Sequence, residues 1–509
     1  MGFSVTAIKR ELDPLTIAQT SSSFLFFLLF LIVPILSILG TAFVRYSELS
    51  LYWFTEIFSD PEYISLTPRG GYLFEIHRNV MYIWGYDYGI VLNSLIVAVI
   101  VSISCSVIGV IAALIMTRYE FPLKNFFRTA ILVPMLATPF VNAYVLGKLF
   151  SPRAGIINVV LHDILRIIPW RVDINGLVGV ALAQILSYYP IVYLNVSASM
   201  SNIDPSMEEQ AENLGSKGVR LFRTVTFPLS LPGLAAGATV VFIFSMEDLG
   251  APIGFIGYSA NPLAKKLISY QIFSSFMEAV AGGLSSETAA LAVILLAMSL
   301  VGFTLVKKYV SLKFYAMLSR GGRWKPRTRK IGKAGLITIY VFLTLLVTLA
   351  AMPQIGVVVL AFSDWAKESY PTTFTLEYAS RLVTDPNVTR AIVNSIVYSM
   401  AAVVIAILVG SSAAYVVARS RLPGIEMLDL LATMPIAVPG IVIAVGYFLF
   451  FSSNFRNTPL DPLLDPLMLL ILAYSVRRMP FLARSVFAGL QQIHVACLLY
   501  TSPSPRDRG

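Results

Sequence analysis

Two neighbouring acids, Glu247 and Asp248, close a long apolar run and are the side chains best placed to act inside a membrane. A charge in hydrocarbon is costly, so an acid within an apolar segment is a candidate for a solute or ion path. The alternative is that the pair marks the water-exposed end of a helix, where a charge costs little. The sequence leaves both interpretations open, with Glu247 and Asp248 as a candidate translocation path.

The other reactive side chains are scattered. Cys105 lies inside an apolar run, which argues against a disulfide with Cys497, and His77, His162 and His494 are isolated. Metal sites made of Cys and His need several ligands at short, regular spacings. We therefore predict no catalytic residue, no metal site and no cofactor bound by this chain.

The composition is that of a membrane protein. The 509 residues are 57% hydrophobic and only 13% charged, with a mean hydropathy of +0.76, whereas soluble chains carry about 25% charged residues. The net charge of +10 fits Lys and Arg in cytoplasmic loops. No motif indicates nucleic-acid binding.

Apolar runs of about 20 residues predict helices that cross a bilayer. The predicted spans are 24–44, 90–116, 129–150, 176–200, 231–256, 287–306, 335–362, 391–417, 428–452 and 466–490. Residues 307–333 contain ten Lys and Arg and no acid, so this segment is predicted to be cytoplasmic. The even number of spans before it places the N-terminus in the cytoplasm too, in a multi-pass inner-membrane protein.

The chain contains an internal repeat. Asn93-Ser94 recurs as Asn394-Ser395, and the same shift of 301 positions aligns other Gly, Ala, Arg and Pro residues. The aligned pairs include Gly109 with Gly410, Arg118 with Arg419, Pro122 with Pro423 and Pro134 with Pro435. Such matches at one shift indicate a tandem duplication in the same orientation. We expect an all-α transmembrane bundle of two parallel repeats, related by an axis near the membrane normal.

One predicted cytoplasmic loop has the signals of a short helix. Asp204-Pro205-Ser206 is a typical helix start, Glu208 and Glu209 suit its positive end, and Gly215 is a typical stop. Met207, Ala211 and Leu214 share one face of this helix. On these features alone, an amphipathic connector on the membrane surface explains the loop.

The spacing around this helix resembles a motif of binding-protein-dependent ABC importer permeases. That motif is Glu-Ala-Ala, three residues, Gly, nine residues and Ile-x-Leu-Pro. Here Glu209-Gln210-Ala211 is followed at the same spacings by Gly215 and by Val225-Thr226-Phe227-Pro228, with Gln210, Val225 and Phe227 as departures. The resemblance implies an ATPase-coupling loop. Its residues would be Glu208, Glu209, Gln210, Ala211, Gly215, Val225, Phe227 and Pro228.

The resemblance also implies partners and a fold similar to type I importers. A homodimer of ABC ATPase subunits would bind ATP and Mg, since the chain has no Walker A motif, and a periplasmic binding protein would deliver the solute. The fused layout resembles ferric-iron permeases. The alternatives are thiamine, polyamine or phosphonate permeases and, in another class, a secondary transporter, which would need coupling-ion acids at the midplane.

The repeats and the resemblance together suggest the domain organisation. Residues 1–88 form an N-terminal span and periplasmic loop, 89–309 the first permease domain, 310–334 a basic linker, 335–389 a span and periplasmic loop, 390–494 the second permease domain and 495–509 a tail. Where the second domain should repeat Asp204-Pro205, it has His494-Val495. We therefore expect a C-terminally truncated chain with a non-native tail, lacking the second coupling loop and two further spans.

Overall fold

The structure is a computed structural model that describes residues 13–45, 48–153, 155–257, 261–279, 284–311, 328–366, 371–420, 422 and 424–492. Most of the predicted basic linker and the whole predicted tail lie outside these residues. His494, Cys497 and the position predicted for a second coupling loop lie outside them as well.

Helices make up most of the described chain, which confirms the predicted all-α transmembrane fold. Within the described ranges, seven helices are long and apolar enough to cross a membrane. They are Pro14–Ala42, Ile90–Arg118, Gly176–Ser201, Val219–Glu247, Ser286–Leu305, Lys333–Phe362 and Pro386–Arg419. Each corresponds to one of the ten predicted spans.

The third and ninth predicted spans are broken helices. Lys124–Leu136 meets Pro139–Leu149 at 95°, and Ile425–Ile436 meets Gly440–Asn454 at 107°. Proline causes the first break, because it lacks an N–H and disfavours a helical residue before it. Thr138, which precedes Pro139, is accordingly extended, with φ −74° and ψ 155°. Hydropathy predicted single spans here because the apolar composition continues through each break.

Two further spans differ from their predicted extent. The first begins at Pro14, where the Asp13 side chain caps the helix by accepting a hydrogen bond from the Thr16 N–H at 3.2 Å. Its first ten residues are too polar to be recognised by hydropathy. The tenth predicted span is the helix Leu467–Gln492. Because it contains Arg477, Arg478 and Arg484, it is not among the seven helices that are apolar enough to cross a membrane.

The chain divides into two compact units. The larger unit consists of Leu51–Met277 and Ala297–Thr384, and the smaller unit contains the remainder. In the larger unit, Ile90–Arg118 packs along Gly176–Ser201, and Lys333–Phe362 contributes to the same apolar core. In the smaller unit, the N-terminal helix packs with helices from the end of the chain, and the Tyr447 hydroxyl donates a hydrogen bond to the Phe30 carbonyl at 2.8 Å.

Short strands connect parts of the larger unit outside its long helices. Glu75–His77 and Val80–Ile83 form an antiparallel hairpin, and Arg171–Ile174 pairs with Val80–Ile83 in parallel. A separate parallel pair joins Tyr119–Glu120 to Arg329–Lys330. The second pair brings the described end of the linker beside the end of the helix Ile90–Arg118.

The two units repeat one internal plan. Both Ile90–Arg118 and Pro386–Arg419 end at an arginine, and each is followed by a broken helix pair and then a helix of 26 residues. Arg118 Nη2 donates to the Met200 carbonyl at 3.1 Å, and Arg419 Nη2 donates to the Leu490 carbonyl at 2.9 Å. The same bond in both units agrees with the predicted tandem duplication.

Candidate functional site

The predicted loop helix forms, with the start and stop that its sequence indicates. It spans Pro205–Asn213 and is capped by Asp204, whose side chain accepts a hydrogen bond from the Ser206 N–H at 2.9 Å. Gly215 has φ +87°, a left-handed conformation that favours glycine. The Gly215 and Ser216 N–H groups each donate at 2.9 Å to carbonyls of the last turn. This is the Schellman pattern, which satisfies the helix C-terminus.

A buried carboxylate fixes this loop helix to the long helices. Glu208 is 3% exposed, and its Oε1 lies 2.9 Å from Arg118 Nη2. The Thr226 hydroxyl donates to the same oxygen at 2.7 Å. A buried ion pair is stable only when its remaining polar atoms are also bonded. Here the hydrogen bond from the Arg118 guanidinium to the Met200 carbonyl satisfies part of this requirement.

Sequence reasoning assigned Glu208 to the helix dipole and missed its ion pair with Arg118. Arg118 is distant in sequence, and nothing local to either residue predicts that they meet. A signal was nevertheless present, because Arg118 recurs as Arg419 at the fixed shift. An arginine kept at the end of both repeated spans suggests a structural role for that residue.

The other side of the loop helix faces outward. Glu209 and Gln210 are exposed and Ala211 is half-buried, while Met207 and Leu214 are 43% and 89% exposed. Two of the three residues of the predicted apolar face, Met207 and Leu214, are therefore exposed. Together with Glu208, this gives a helix that is anchored on one side and exposed on the other.

The return segment leads directly into the next span. Val225 is half-buried in the short π-helical segment Phe222–Thr226, and Phe227 and Pro228 begin the α-helix Phe227–Glu247. The Phe227 ring lies 5.5 Å from the Phe222 ring. In this segment, Thr226 donates a hydrogen bond to Glu208. The motif residues Val225, Phe227 and Pro228 lie on either side of Thr226, where the π-helical segment passes into the next helix.

A second ion pair joins the loop helix to the described end of the linker. The Arg329 guanidinium pairs with the Glu212 carboxylate, and Arg329 also belongs to the strand paired with Tyr119–Glu120. Nearby, the Tyr340 hydroxyl donates to the Pro122 carbonyl at 2.9 Å. The sequence predicted only a basic linker here, because its charge pattern does not identify which acid it contacts.

The candidate path residues lie at the opposite end of the helix that begins at Phe227. Asp248 is 8% exposed and accepts hydrogen bonds from Gln184 Nε2 and the Gly250 N–H, each at 2.9 Å. Asp248 thereby binds the N–H of the first residue of the short helix Gly250–Ile256. Glu247 is half-buried. These bonds give Asp248 a structural role, while its role in a translocation path stays a prediction.

Acidic, histidine and cysteine side chains do not gather into a metal centre in the described ranges: no group of three or more could hold a metal ion there. Cys105 is buried. The geometry that remains for function is the anchored loop helix and the long helices that hold it.

Comparisons with known proteins agree with the resemblance seen in this loop. Residues 105–311, which include the loop helix, match the family described as a binding-protein-dependent transport system inner membrane component. The ferric transport system permease protein FbpB of Actinobacillus pleuropneumoniae is 26% identical over 416 residues, covering 80% of this chain and 57% of that protein.

Two relatives from Haemophilus influenzae are also similar. The putative ferric transport system permease protein FbpB 1 is 26% identical over 415 residues, covering 80% of this chain and 62% of that protein. The molybdenum transport system permease protein ModB is 28% identical over 217 residues, covering 42% of this chain and 89% of that protein. The chain thus spans 57% and 62% of the length of the two ferric relatives.

Proposed function

We propose that this chain, whose residues 105–311 match the family described as a binding-protein-dependent transport system inner membrane component, is the membrane-spanning permease of an ABC importer. The observation that carries the proposal is the loop helix Pro205–Asn213. Its inner side is held by the buried ion pair of Glu208 with Arg118, and its outer side exposes Met207 and Leu214. A rigidly held helix with an exposed apolar face suits a groove on a partner protein.

The proposed partner is an ABC ATPase. ATP and Mg would be bound by that subunit, and its movement would reach the membrane through the loop helix. Arg118 is the last residue of a long helix and forms an ion pair with Glu208. A displacement of the loop helix would therefore displace the helix Ile90–Arg118 as well. The exposed motif residues Glu209, Gln210 and Gly215 would lie at the contact.

The proposed solute is ferric iron, delivered by a periplasmic binding protein. The support is the similarity, over 80% of this chain, to two proteins named as ferric transport permeases. Molybdate is the second candidate, because ModB is similar over 42% of the chain. The Lys and Arg of 307–333 support a cytoplasmic position for this segment, with the N-terminus on the same side.

Copurification tests the coupling proposal. The chain would be coexpressed with the ATPase encoded beside it, and the complex isolated through a tag on the chain. We expect the ATPase to be retained, and to be lost in Leu214→Glu, which places a charge on the exposed face. Leu66→Glu is the control that should retain it, because Leu66 is equally exposed, at 89%, but lies outside the loop helix. An ATPase that never binds would favour a secondary transporter.

Binding-protein capture tests the solute. Immobilised chain would be exposed to the neighbouring periplasmic binding protein loaded with ferric iron, loaded with molybdate where it accepts it, or empty. We expect the ferric form to be retained most. A binding protein that retains molybdate and not iron would contradict the ferric proposal and leave the coupling proposal standing.

A further inference from the structure

An open cleft lies at the C-terminal ends of the helices Ile90–Arg118 and Gly176–Ser201. Its volume is about 690 Å³, which is within the range of about 300–1,000 Å³ usual for ligand sites. Its lining includes Met116, Lys124, Arg128, Leu132, Leu194 and Ser201. All of these residues belong to the larger unit.

The lining of the cleft also carries charged side chains, namely Lys124, Arg128 and the carboxylate Glu120. Lys124 pairs with Glu120 at 3.0 Å. Arg128 is exposed, and its guanidinium forms no hydrogen bond or ion pair within the described part of the chain. A phosphate could therefore take paired hydrogen bonds from Arg128 without breaking an existing contact.

Apolar side chains also line the cleft. Leu194 is 43% exposed, and Met116 and Leu132 line the same space. Because Leu194 is exposed at the end of two membrane helices, it lies where a lipid acyl chain can contact the protein. A ligand that satisfies both regions must carry an anionic group and a long apolar chain.

We propose that this cleft binds an anionic phospholipid of the cytoplasmic leaflet. The phosphate lies on Arg128, and one acyl chain runs along Leu132 and Leu194. Basic pockets between membrane helices on the cytoplasmic side suit anionic lipid headgroups. The assignment to the cytoplasmic leaflet rests on the proposed orientation of the chain. The preference for an anionic lipid rests only on the residues that line the cleft.

Native mass spectrometry of the purified full chain tests the proposal. The chain would be released from detergent containing equal amounts of phosphatidylglycerol and phosphatidylcholine. We expect phosphatidylglycerol to be retained preferentially, and Arg128→Gln to lower that retention about fivefold, the effect of removing one basic residue worth about 1 kcal/mol. Arg223→Gln is the matched control, because Arg223 is an exposed arginine outside the cleft, and it should leave retention unchanged.

A second variant separates a lipid from a free anion. Leu194→Trp fills the acyl path and should lower phosphatidylglycerol retention while leaving Arg128 in place. Equal retention of the two lipids by the unmodified chain would overturn the proposal. So would displacement of phosphatidylglycerol by millimolar inorganic phosphate together with no effect of Leu194→Trp, since that result indicates a free-anion site. The measurement needs no ATPase, so its failure is separate from failure of the coupling proposal.

Discussion

The Arg118 guanidinium and the Glu208 carboxylate lie 2.9 Å apart with side chains 9% and 4% exposed. One ends a long apolar helix and the other lies on the first turn of the loop helix. Because both side chains are buried, each charge is stabilised by the other, and removal of either one leaves the remaining charge buried without its counter-ion. The pair therefore sets both the position of the loop helix and its sensitivity to substitution.

Glu208→Gln is expected to destabilise the chain by about 3–5 kcal/mol, because it leaves the Arg118 charge buried without its partner. The measurement is thermal unfolding of the detergent-solubilised protein. The double variant Arg118→Met with Glu208→Leu should be less damaging than the sum of its single substitutions. Glu209→Gln, at the exposed neighbouring position, is the control and should leave unfolding unchanged. Strictly additive effects would show that the pair is not coupled.

Gly215→Ala is expected to cost about 1–2 kcal/mol, because an L-residue pays that penalty in the left-handed conformation. The cost is conformational, since an added Cβ would meet nothing within 4 Å. The substitution should loosen the end of the loop helix and reduce ATPase copurification while the chain still inserts into the membrane. Gly489→Ala also points into open space but lacks a positive φ, so it should be harmless. Equal copurification by both variants would contradict the role given to Gly215.

Arg329→Ser is expected to speed hydrogen exchange across the loop helix, because it removes the ion pair with Glu212. The two side chains are 38% and 18% exposed, so solvent screening limits the effect to below about 1 kcal/mol, and it should shrink further in high salt. Lys330→Ser, one residue away, is the control. The charge exchange Arg329→Glu with Glu212→Arg should restore protection. If it does not, the strand pairing rather than the ion pair holds this segment.

Local signals predicted the loop helix well and its attachment poorly. Asp204, Pro205 and Gly215 determine where the helix begins and ends through bonds to residues only a few positions away, so their types are sufficient. The contact of Glu208 with Arg118 depends on how the long helices pack. A single sequence contains no local pattern that identifies such a partner.

Hydropathy predicted where apolar segments lie but not whether they bend. The apolar sequence continues through the break in each pair. The bends of 95° and 107° lie beside Pro139 and Pro439, where the backbone is restricted. Asp248 shows that hydropathy is equally unable to predict the contacts of a candidate site residue. Its position suggested a water-exposed end or a path, whereas its bonds to Gln184 and Gly250 depend on a helix break that composition does not reveal.

Asp173 is expected to make stability depend on pH. It lies on the strand Arg171–Ile174, outside the long helices, and burial raises its pKa to about 6 from 3.8, although the Trp84 N–H bonds to it. The folded state therefore holds this proton more tightly than the unfolded chain. Its contribution is fully present below pH 4 and is lost as the pH rises through about 6, by roughly 3 kcal/mol at most.

Thermal unfolding at pH 5 and pH 7.5 measures this contribution. Asp173→Asn should remove that part of the pH dependence and raise stability at pH 7.5, because the amide stays neutral and can still accept the Trp84 hydrogen bond. Glu56→Gln, at an exposed position, is the control and should preserve the difference. The same pH dependence in Asp173→Asn would assign it to another group.

Gly109 and Gly410 occupy equivalent positions in the two repeats, and substitution of each tests how alike the repeats are. A Cβ at Gly109 would lie 2.8 Å from the Val192 Cβ and 2.9 Å from the Tyr193 backbone nitrogen. A Cβ at Gly410 would meet the Leu482 Cδ2 at 2.8 Å and the Met479 Cγ at 3.1 Å. The first contact involves backbone and a stiff β-branched side chain, whereas the second involves flexible side chains that can move aside.

Gly109→Ala is therefore expected to destabilise its unit by about 1–3 kcal/mol, the usual cost of overpacking, and Gly410→Ala by clearly less. The measurement is thermal unfolding, with Gly40→Ala as the control, because a Cβ there would meet nothing within 4 Å. Equal losses at Gly109 and Gly410 would mean that both helix pairs are equally rigid. A larger loss at Gly410 would contradict the argument, because the closest atoms there are the ones free to change rotamer.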